Sequence, residues 1–232
     1  PSKTFRITNA NATIENILAV KQELMKSKVD DKVILFVAGH GLLDSKLDYY
    51  LGTHDVNFEA PSERGLAYED LEGLLDGIPA RKKLVLLDAC HSGEVDKEEV
   101  TLTASSNTVS TGNVKFRGFT NVQTKSAGIG LASSFELMKE LFADLRRNNG
   151  AIVISSASGK EFSFESPEWQ NGCFTYSLLE GIKSGNADAN KDKTITVSEI
   201  RDYVSKRVVE LTDGKQNPTS RTENLENDFA VW

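Results

Sequence analysis

Short apolar runs alternate along this chain with longer segments that carry apolar residues at helical spacing. Helical spacing is found around Ile14, Leu71, Phe135, Phe174 and Val197. Strand-length apolar runs that alternate with amphipathic helices are typical of a mainly parallel sheet covered on both faces, so the pattern predicts an α/β fold. The runs are Val33-Ile34-Leu35-Phe36-Val37-Ala38, Lys83-Leu84-Val85-Leu86-Leu87 and Ala151-Ile152-Val153-Ile154.

Two of the predicted strands lead into side chains that together suggest a catalytic dyad. The first run continues into Gly39-His40-Gly41, and the second into Asp88-Ala89-Cys90-His91. Because open α/β sheets do their chemistry at the carboxyl ends of the strands, His40 and Cys90 form a candidate catalytic pair. An imidazole can activate a thiol and later protonate the leaving amine. For either residue alone, a buried structural Cys or a lone satisfied His is the simpler interpretation.

Composition excludes several other classes of function. The chain has 232 residues, which suits one large domain, and its net charge of −7 with interspersed basic residues argues against a nucleic-acid partner. No apolar stretch approaches the roughly 20 residues of a membrane span, and the amino-terminal residues lack the apolar core of a signal peptide. Two cysteines are too few for a secreted disulfide framework. We expect a soluble protein of the reducing cytoplasm, with no membrane association.

A long polar segment separates the second apolar run from the third. From about Val95 to Gly130 the chain is rich in Ser, Thr, Asn and Gly, and it is far longer than an ordinary connection. This composition predicts a flexible loop that is open to proteolysis. Its basic residues include Lys115, Arg117 and Lys125.

The order of these motifs resembles that of the caspase-like cysteine peptidases, especially bacterial members and metacaspases. The resemblance rests on Ala38-Gly39-His40-Gly41, on Asp88-Ala89-Cys90-His91-Ser92-Gly93, and on the long linker before a strand-helix carboxyl-terminal half. It implies a caspase-like three-layer sandwich, with a mainly parallel central sheet between helices on both faces. It also implies one domain over residues 1–232, divided into a large-subunit-like part at about 1–95, a linker at about 96–130 and a small-subunit-like part at about 131–232.

The resemblance also assigns the chemistry. Cys90 is the expected nucleophile, His40 the expected base and acid, and the backbone amides of Gly41 and Cys90 the expected oxyanion hole. No cofactor is required for these steps. His91, on a turn after Cys90, is expected to be structural. The family fold has a first strand that should precede Phe5-Arg6-Ile7, so we expect an upstream segment or fused modules of the same protein as partners.

Specificity follows from the residue two positions before the nucleophile. Caspases that cleave after Asp carry Gln there, whereas metacaspases, which cleave after basic residues, carry Asp, as this chain does at Asp88. A carboxylate repels acidic side chains and pairs with Arg or Lys. Glu165 falls roughly where caspases place a pocket arginine. The alternatives are a structural carboxylate at Asp88, which accepts backbone N–H groups, and a solvated loop acid at Glu165.

We therefore expect protein or peptide substrates with Arg or Lys before the scissile bond. The same preference predicts self-cleavage in the linker at Lys115, Arg117 or Lys125, which would leave two subunits packed together.

The segment 188–199 matches the ligand spacing of an EF-hand loop. Oxygen ligands at this spacing suit calcium. However, Lys193 stands at the position where EF-hands usually have Gly, so a structural turn is favoured over a calcium site, with Thr196 or Ser198 as the cap of the next helix. The candidate ligands are Asp188, Asn190, Asp192, Thr194 and Glu199.

A second function from another class stays open. The chain could be a catalytically weak or inactive caspase-like module that serves regulation or interaction within a larger multidomain protein. The presence of both His40 and Cys90 favours the peptidase.

Overall fold

The chain forms strands and helices in alternation, and a computed structural model describes residues 2–44, 46, 48–92, 115–116, 150–156, 163–220 and 228–232. The strands are β1 (Lys32–Leu43), β2 (Tyr49–Leu51), β3 (Leu66–Ala67), β4 (Lys82–Ser92), β5 (Lys115–Phe116), β6 (Ile152–Ser155), β7 (Phe164–Ser166), β8 (Asn171–Gly172) and β9 (Thr219–Ser220). The helices are α1 (Ile14–Leu24), α2 (Pro61–Arg64), α3 (Tyr68–Leu75), α4 (Cys173–Ser184) and α5 (Val197–Leu211), preceded by a short 3-10 turn at Asn9–Asn11.

The central sheet has the strand order β3-β2-β1-β4-β6-β9. Its three longest strands, β1, β4 and β6, run parallel to one another, and the short strands at the two edges are antiparallel. A second small sheet has the order β5-β7-β8. The parallel centre confirms the fold class expected from the apolar runs.

Helices cover both faces of β4, which lies in the middle of the sheet. On one face, Val85 and Leu87 pack with apolar residues of α1 and α3. On the opposite face, Leu84 and Leu86 pack with Phe174 of α4 and with apolar residues of α5. Successive residues of a strand face opposite sides, so the continuous apolar run of β4 serves two cores at once. The three-layer arrangement is thereby confirmed.

Local sequence signals account for the helix ends. α1 begins after Thr13, whose side chain accepts from the backbone N–H of Asn16 at 3.4 Å. α4 ends at Ser184, and the next residue, Gly185, has a φ of 73°, a conformation that Gly adopts at little cost. α5 begins with a capping box formed by Thr196 and Glu199. None of the described helices has the length and apolar character needed to cross a membrane.

Two strands are longer than their apolar runs predict. β1 continues through Leu43 and β4 through Ser92, because the two strands stay paired in register along their whole shared length. The backbone of His91 therefore lies within a strand, and the prediction that it lies on a turn was wrong. Most of the predicted flexible loop and the helical pattern around Phe135 lie outside the described residues.

Candidate active site

The two predicted catalytic residues occupy matched positions on neighbouring strands. His40 on β1 is the register partner of Cys90 on β4, near the carboxyl ends of both strands. Parallel strands lie about 4.8 Å apart, so the two backbones adjoin. Gly41, the residue after His40, is in register with His91, the residue after Cys90. The sheet therefore brings together residues that are far apart in sequence.

The strand alternation defines which face of the sheet carries the site. Leu84 and Leu86 belong to the core formed with α4 and α5, and Asp88 follows at the same two-residue spacing. On β1, Ala38 is the register partner of Asp88, so His40, two residues further along, also lies on this face. The candidate site is therefore on the side of the sheet that α4 and α5 cover.

His40 is half-buried and is held by the loop that follows β2. Its carbonyl oxygen accepts a 2.7 Å hydrogen bond from the backbone N–H of Gly52. Its ring meets the ring of Phe58 edge to face, with centroids 6.0 Å apart and planes inclined by 67°. Phe58 is 42% exposed, which is unusual for a large apolar side chain. The sequence provides no signal for this contact because Phe58 lies in an irregular segment.

Asp88 lies beneath the site and is completely buried, with 0% of its surface exposed. The hydroxyl of Thr175, in the first turn of α4, donates to Oδ2 of Asp88. One partner of this carboxylate is thus a side-chain hydroxyl from a helix that is distant in the chain, a contact that the sequence does not indicate.

A buried polar network joins the end of β4 to the carboxyl-terminal half of the chain. Ser156 donates from its hydroxyl to the carbonyl of Ala89, the residue before Cys90, at 3.3 Å, and its Oγ lies 2.8 Å from the hydroxyl of Ser163. Gln216 donates from Nε2 to the carbonyl of Ser156 at 2.7 Å and accepts from the backbone N–H of Phe164 at 2.9 Å. Gln216, Ser156 and Ser163 are each 0% exposed. A fully satisfied network of this kind fixes the backbone around it.

The other predicted pocket residue, Glu165, comes directly after this network in the sequence. Glu165 follows Phe164 in β7 and is half-buried, and its register partner in β5 is Lys115. Lys115, a predicted self-cleavage position, therefore lies on a strand adjacent to the predicted pocket acid. The other two predicted cleavage positions, Arg117 and Lys125, lie outside the described residues.

Cys173, the second cysteine of the chain, is a poor nucleophile. It is completely buried at the start of α4, and burial raises the pKa of its thiol to about 12. A thiol with such a pKa is protonated at neutral pH, and only the thiolate attacks carbonyls efficiently. Among the two cysteines, Cys90 is thus the candidate for chemistry.

The EF-hand-like loop connects α4 to α5, and its acidic side chains bind the loop's own backbone. Asp188 accepts from the N–H groups of Asp192 and Lys193, at 3.1 and 2.8 Å. Glu199 accepts from the N–H groups of Ala189 and Asn190, at 3.1 and 3.3 Å. Asn190 and Asp192 accept from backbone N–H groups in the same way, whereas Thr194 contributes its own N–H to Asp192.

Lys193 has a φ of 71°, so it adopts the conformation for which EF-hands use Gly. Hydrogen bonds from the backbone N–H groups of Thr196, Asn190 and Ala189 hold the pKa of Glu199 below its usual range. Within the described residues, no three His, Cys, Asp or Glu side chains are grouped to hold a metal ion. These hydrogen bonds fit the structural turn that the sequence favours, and calcium binding stays the untested alternative.

Comparison with known proteins identifies the kind of domain. A family model described as the caspase domain matches residues 3–230. The crystal structure of protein GSU0716 from Geobacter sulfurreducens is similar with a TM-score of 0.54 and 18% sequence identity, over 91% of this chain and 73% of that chain. At 18% sequence identity, this similarity supports the fold and no statement about function. No curated protein matches the chain.

Proposed function

The chain belongs to the caspase-domain family, and from that premise we propose that it is a cysteine endopeptidase that hydrolyses peptide bonds after Arg or Lys. The observation that carries the proposal is the register of His40 with Cys90 near the carboxyl ends of two adjacent parallel strands. This backbone register supports the proposal, because peptide hydrolysis by cysteine requires a base beside the thiol.

In the acylation step, the imidazole of His40 takes the thiol proton, and the thiolate of Cys90 attacks the carbonyl carbon of the substrate. The new carbon–sulfur bond gives a tetrahedral intermediate with a negative oxygen. In this proposal the backbone amides of Gly41 and Cys90 donate to that oxygen. The carbon–nitrogen bond then breaks, and His40 transfers its proton to the leaving amine.

In the deacylation step, a water molecule attacks the thioester and His40 takes the proton of the water. The carbon–sulfur bond breaks, the carboxyl product leaves, and the thiol is restored. His40 thus acts first as an acid towards the amine and then as a base towards water. No cofactor takes part in these steps.

The preference for Arg or Lys is assigned to Asp88, with Glu165 as a second acid. A buried carboxylate forms a stronger ion pair than an exposed one, because little water screens the charges. A basic side chain that pairs with Asp88 also avoids leaving the carboxylate as an isolated charge in the protein interior. An acidic substrate side chain would be repelled by the Asp88 carboxylate and would leave its charge unpaired. This contrast is the basis of the proposed selectivity.

The substrates in this proposal are proteins or peptides, and the linker of the chain itself is one of them. Lys115, Arg117 and Lys125 provide the basic residues for self-cleavage. The setting proposed for this activity is the reducing cytoplasm of a bacterium, in a metacaspase-like protein that carries further segments or modules.

The proposal is tested by hydrolysis of fluorogenic peptides that end in Arg, Lys or Asp and are otherwise identical. We expect the wild-type protein to cleave after Arg and Lys, and the variants Cys90→Ala and His40→Asn to lose at least about 1,000-fold in kcat/KM, as expected when a nucleophile or its base is removed. Cys173→Ala is the matched control, because it removes the other thiol, and it should retain activity.

Activity that survives Cys90→Ala would exclude Cys90 as the nucleophile. A preference for Asp would exclude the assigned specificity while leaving the peptidase itself intact. If the folded wild-type protein cleaves none of the peptides, nor its own linker, the non-catalytic interaction module becomes the better description.

A further inference from the structure

The carboxylate of Asp88 has a specific partner on a different structural element. Asp88 lies on β4 and is 0% exposed, and the hydroxyl of Thr175 donates to its Oδ2. The two residues are separated by 87 positions in the sequence, so packing alone brings them together. A hydrogen bond to an ionised group is stronger than one between neutral groups.

Thr175 is the third residue of α4, so Asp88 lies at the amino-terminal end of this helix. The charge of Asp88 also raises the pKa of the thiol of Cys173, the first residue of the helix, after the larger effect of burial. The amino-terminal turn of a helix has a positive partial charge, which favours a carboxylate beside it. The start of α4 thus places a hydroxyl donor and the positive end of a helix dipole beside the buried Asp88 side chain.

Thr175 is itself on a rigid support. The neighbouring residue Phe174 is 0% exposed in the core, and further along α4 Glu180 binds Arg207 of α5 through two hydrogen bonds of 2.7 and 3.1 Å. The branched side chain of Thr also has few rotamers in a helix. The donor that meets Asp88 is therefore held in place by the packing of two helices.

We propose that Thr175 is a positioning residue for substrate recognition: its hydroxyl fixes the rotation of the Asp88 carboxylate, so that the carboxylate meets a basic side chain in one orientation. This inference rests on the proposed function, since it assigns Asp88 to the pocket. The torsion that turns a carboxylate has a broad energy profile, so one hydrogen bond to a fixed donor decides its orientation. Thr175 itself touches no reacting atom in this scheme.

The test compares Thr175→Val with Thr175→Ser, using peptides that end in Arg or Lys. Val keeps the shape of Thr but has no hydroxyl, whereas Ser keeps the hydroxyl. We expect Thr175→Val to raise KM by about tenfold or more, the effect of one hydrogen bond to a charged group, with kcat changed less than about twofold. Thr175→Ser should stay within about twofold of wild type in both constants.

Ser177→Ala is the matched control. Ser177 is a buried residue of the same helix, and its hydroxyl donates to the carbonyl of Cys173 at 2.8 Å. Its removal should leave KM unchanged, which separates the Asp88 contact from a general disturbance of α4. Binding of agmatine, a small guanidinium compound, measured by calorimetry, gives a readout that does not depend on turnover, and its dissociation constant should follow KM in every variant.

If Thr175→Val does not fold, Thr175→Ala takes its place in the comparison with Thr175→Ser. Thr175→Ala, which also lacks the hydroxyl, should then show the same increase in KM. The inference is overturned if the variant without a hydroxyl has the KM of wild type, or if it loses kcat and thermal stability together while agmatine still binds normally. Wild-type protein that cleaves peptides but not after Arg or Lys overturns the specificity proposal, and this inference with it.

Discussion

At the scale of single residues, the loop after β2 determines the setting of His40. The backbone N–H of Gly52 holds the His40 carbonyl, and a Cβ added to Gly52 would lie 3.4 Å from that oxygen. Phe58 covers one edge of the imidazole. A catalytic base must be held in a narrow range of orientations, because misplacement by about 1 Å can cost about 100-fold in rate. The loop thus restrains both the backbone and the ring of His40.

Phe58→Ala is expected to lower kcat/KM by about twofold to twelvefold, because an aromatic pair contributes roughly 0.5–1.5 kcal/mol and this one orients the His40 ring. Steady-state hydrolysis of the Arg peptide measures the effect. Because Phe58 is 42% exposed, the melting temperature should change little.

Phe58→Leu and Phe58→Tyr separate the contributions of bulk and of the aromatic ring. Tyr should restore activity and Leu should restore it only in part. If Phe58→Ala has the kcat/KM of wild type, the ring contact has no role in orienting His40.

At the scale of elements, α4 and α5 are joined by one acidic residue. Glu180 of α4 accepts from Arg207 of α5 at 2.7 and 3.1 Å, from the hydroxyl of Tyr203 at 3.0 Å and from the hydroxyl of Tyr176 at 3.2 Å. The Arg207 hydrogen bonds are the largest cause that holds the pKa of Glu180 below its ordinary value of 4.5. The carboxylate of Glu180 therefore links α4 to α5 through an ion pair and hydrogen bonds.

Glu180→Gln should lower the free energy of unfolding by about 1–3 kcal/mol at neutral pH, the range for hydrogen bonds to a charged group. A carboxylate whose folded pKa is depressed adds stability that is complete above its unfolded pKa and lost as the pH falls through the folded pKa. The difference between wild type and variant should therefore shrink below pH 4.5. Urea unfolding at several pH values measures it.

Glu210→Gln is the control for this experiment. Glu210 also approaches Arg207, at 3.6 Å, but it is 49% exposed, so its loss should cost less than about 1 kcal/mol. Equal losses in the two variants, or a Glu180→Gln effect that is constant with pH, would contradict the assigned role of Glu180.

The loop between α4 and α5 carries the calcium prediction. If calcium binds there, the melting temperature of wild type rises with calcium and falls again with a chelator, and Asp188→Asn removes this response. Equal melting temperatures with calcium and with chelator identify the loop as a structural turn. In that case Glu199→Gln should still destabilise the protein by about 1 kcal/mol, because it weakens the cap of α5.

At the scale of the whole molecule, the central sheet is built from both sides of the predicted linker. β4 precedes the linker and β6 follows it, yet the two strands pair from Leu84 with Ile152 to Leu87 with Ser155. The core between the sheet and α4 likewise combines Leu86 with Phe174. Breaking the chain in the linker removes none of these contacts.

Limited trypsin digestion of the Cys90→Ala variant should therefore give two fragments on a denaturing gel but a single species on gel filtration. The Cys90→Ala variant is used so that its own activity contributes nothing. The fragments should separate only in denaturant. Separation without denaturant would show that the contacts across β4 and β6 do not hold the two halves together.

The fold was largely predictable because its signals are local. The apolar runs at Val33 and Lys83 correspond to β1 and β4, and the helical spacing from Val197 to Leu211 corresponds to α5. Burial on both faces of a strand requires an apolar run, and burial of one helix face requires the helical period, so both are visible in the sequence. The family assignment, confirmed by the caspase-domain match, follows from motifs of the same local kind.

The strands that end near His40 and Cys90 could be read from the sequence, since each strand is encoded by consecutive residues. The contacts around them became visible only in the folded chain: Phe58 against His40, Thr175 on Asp88, and Gln216 between Ser156 and Phe164. These partners are polar or aromatic residues in loops and helix starts, where no periodicity reveals a contact. Their positions result from packing between segments that are distant in the chain, which fixes geometry without leaving a local pattern.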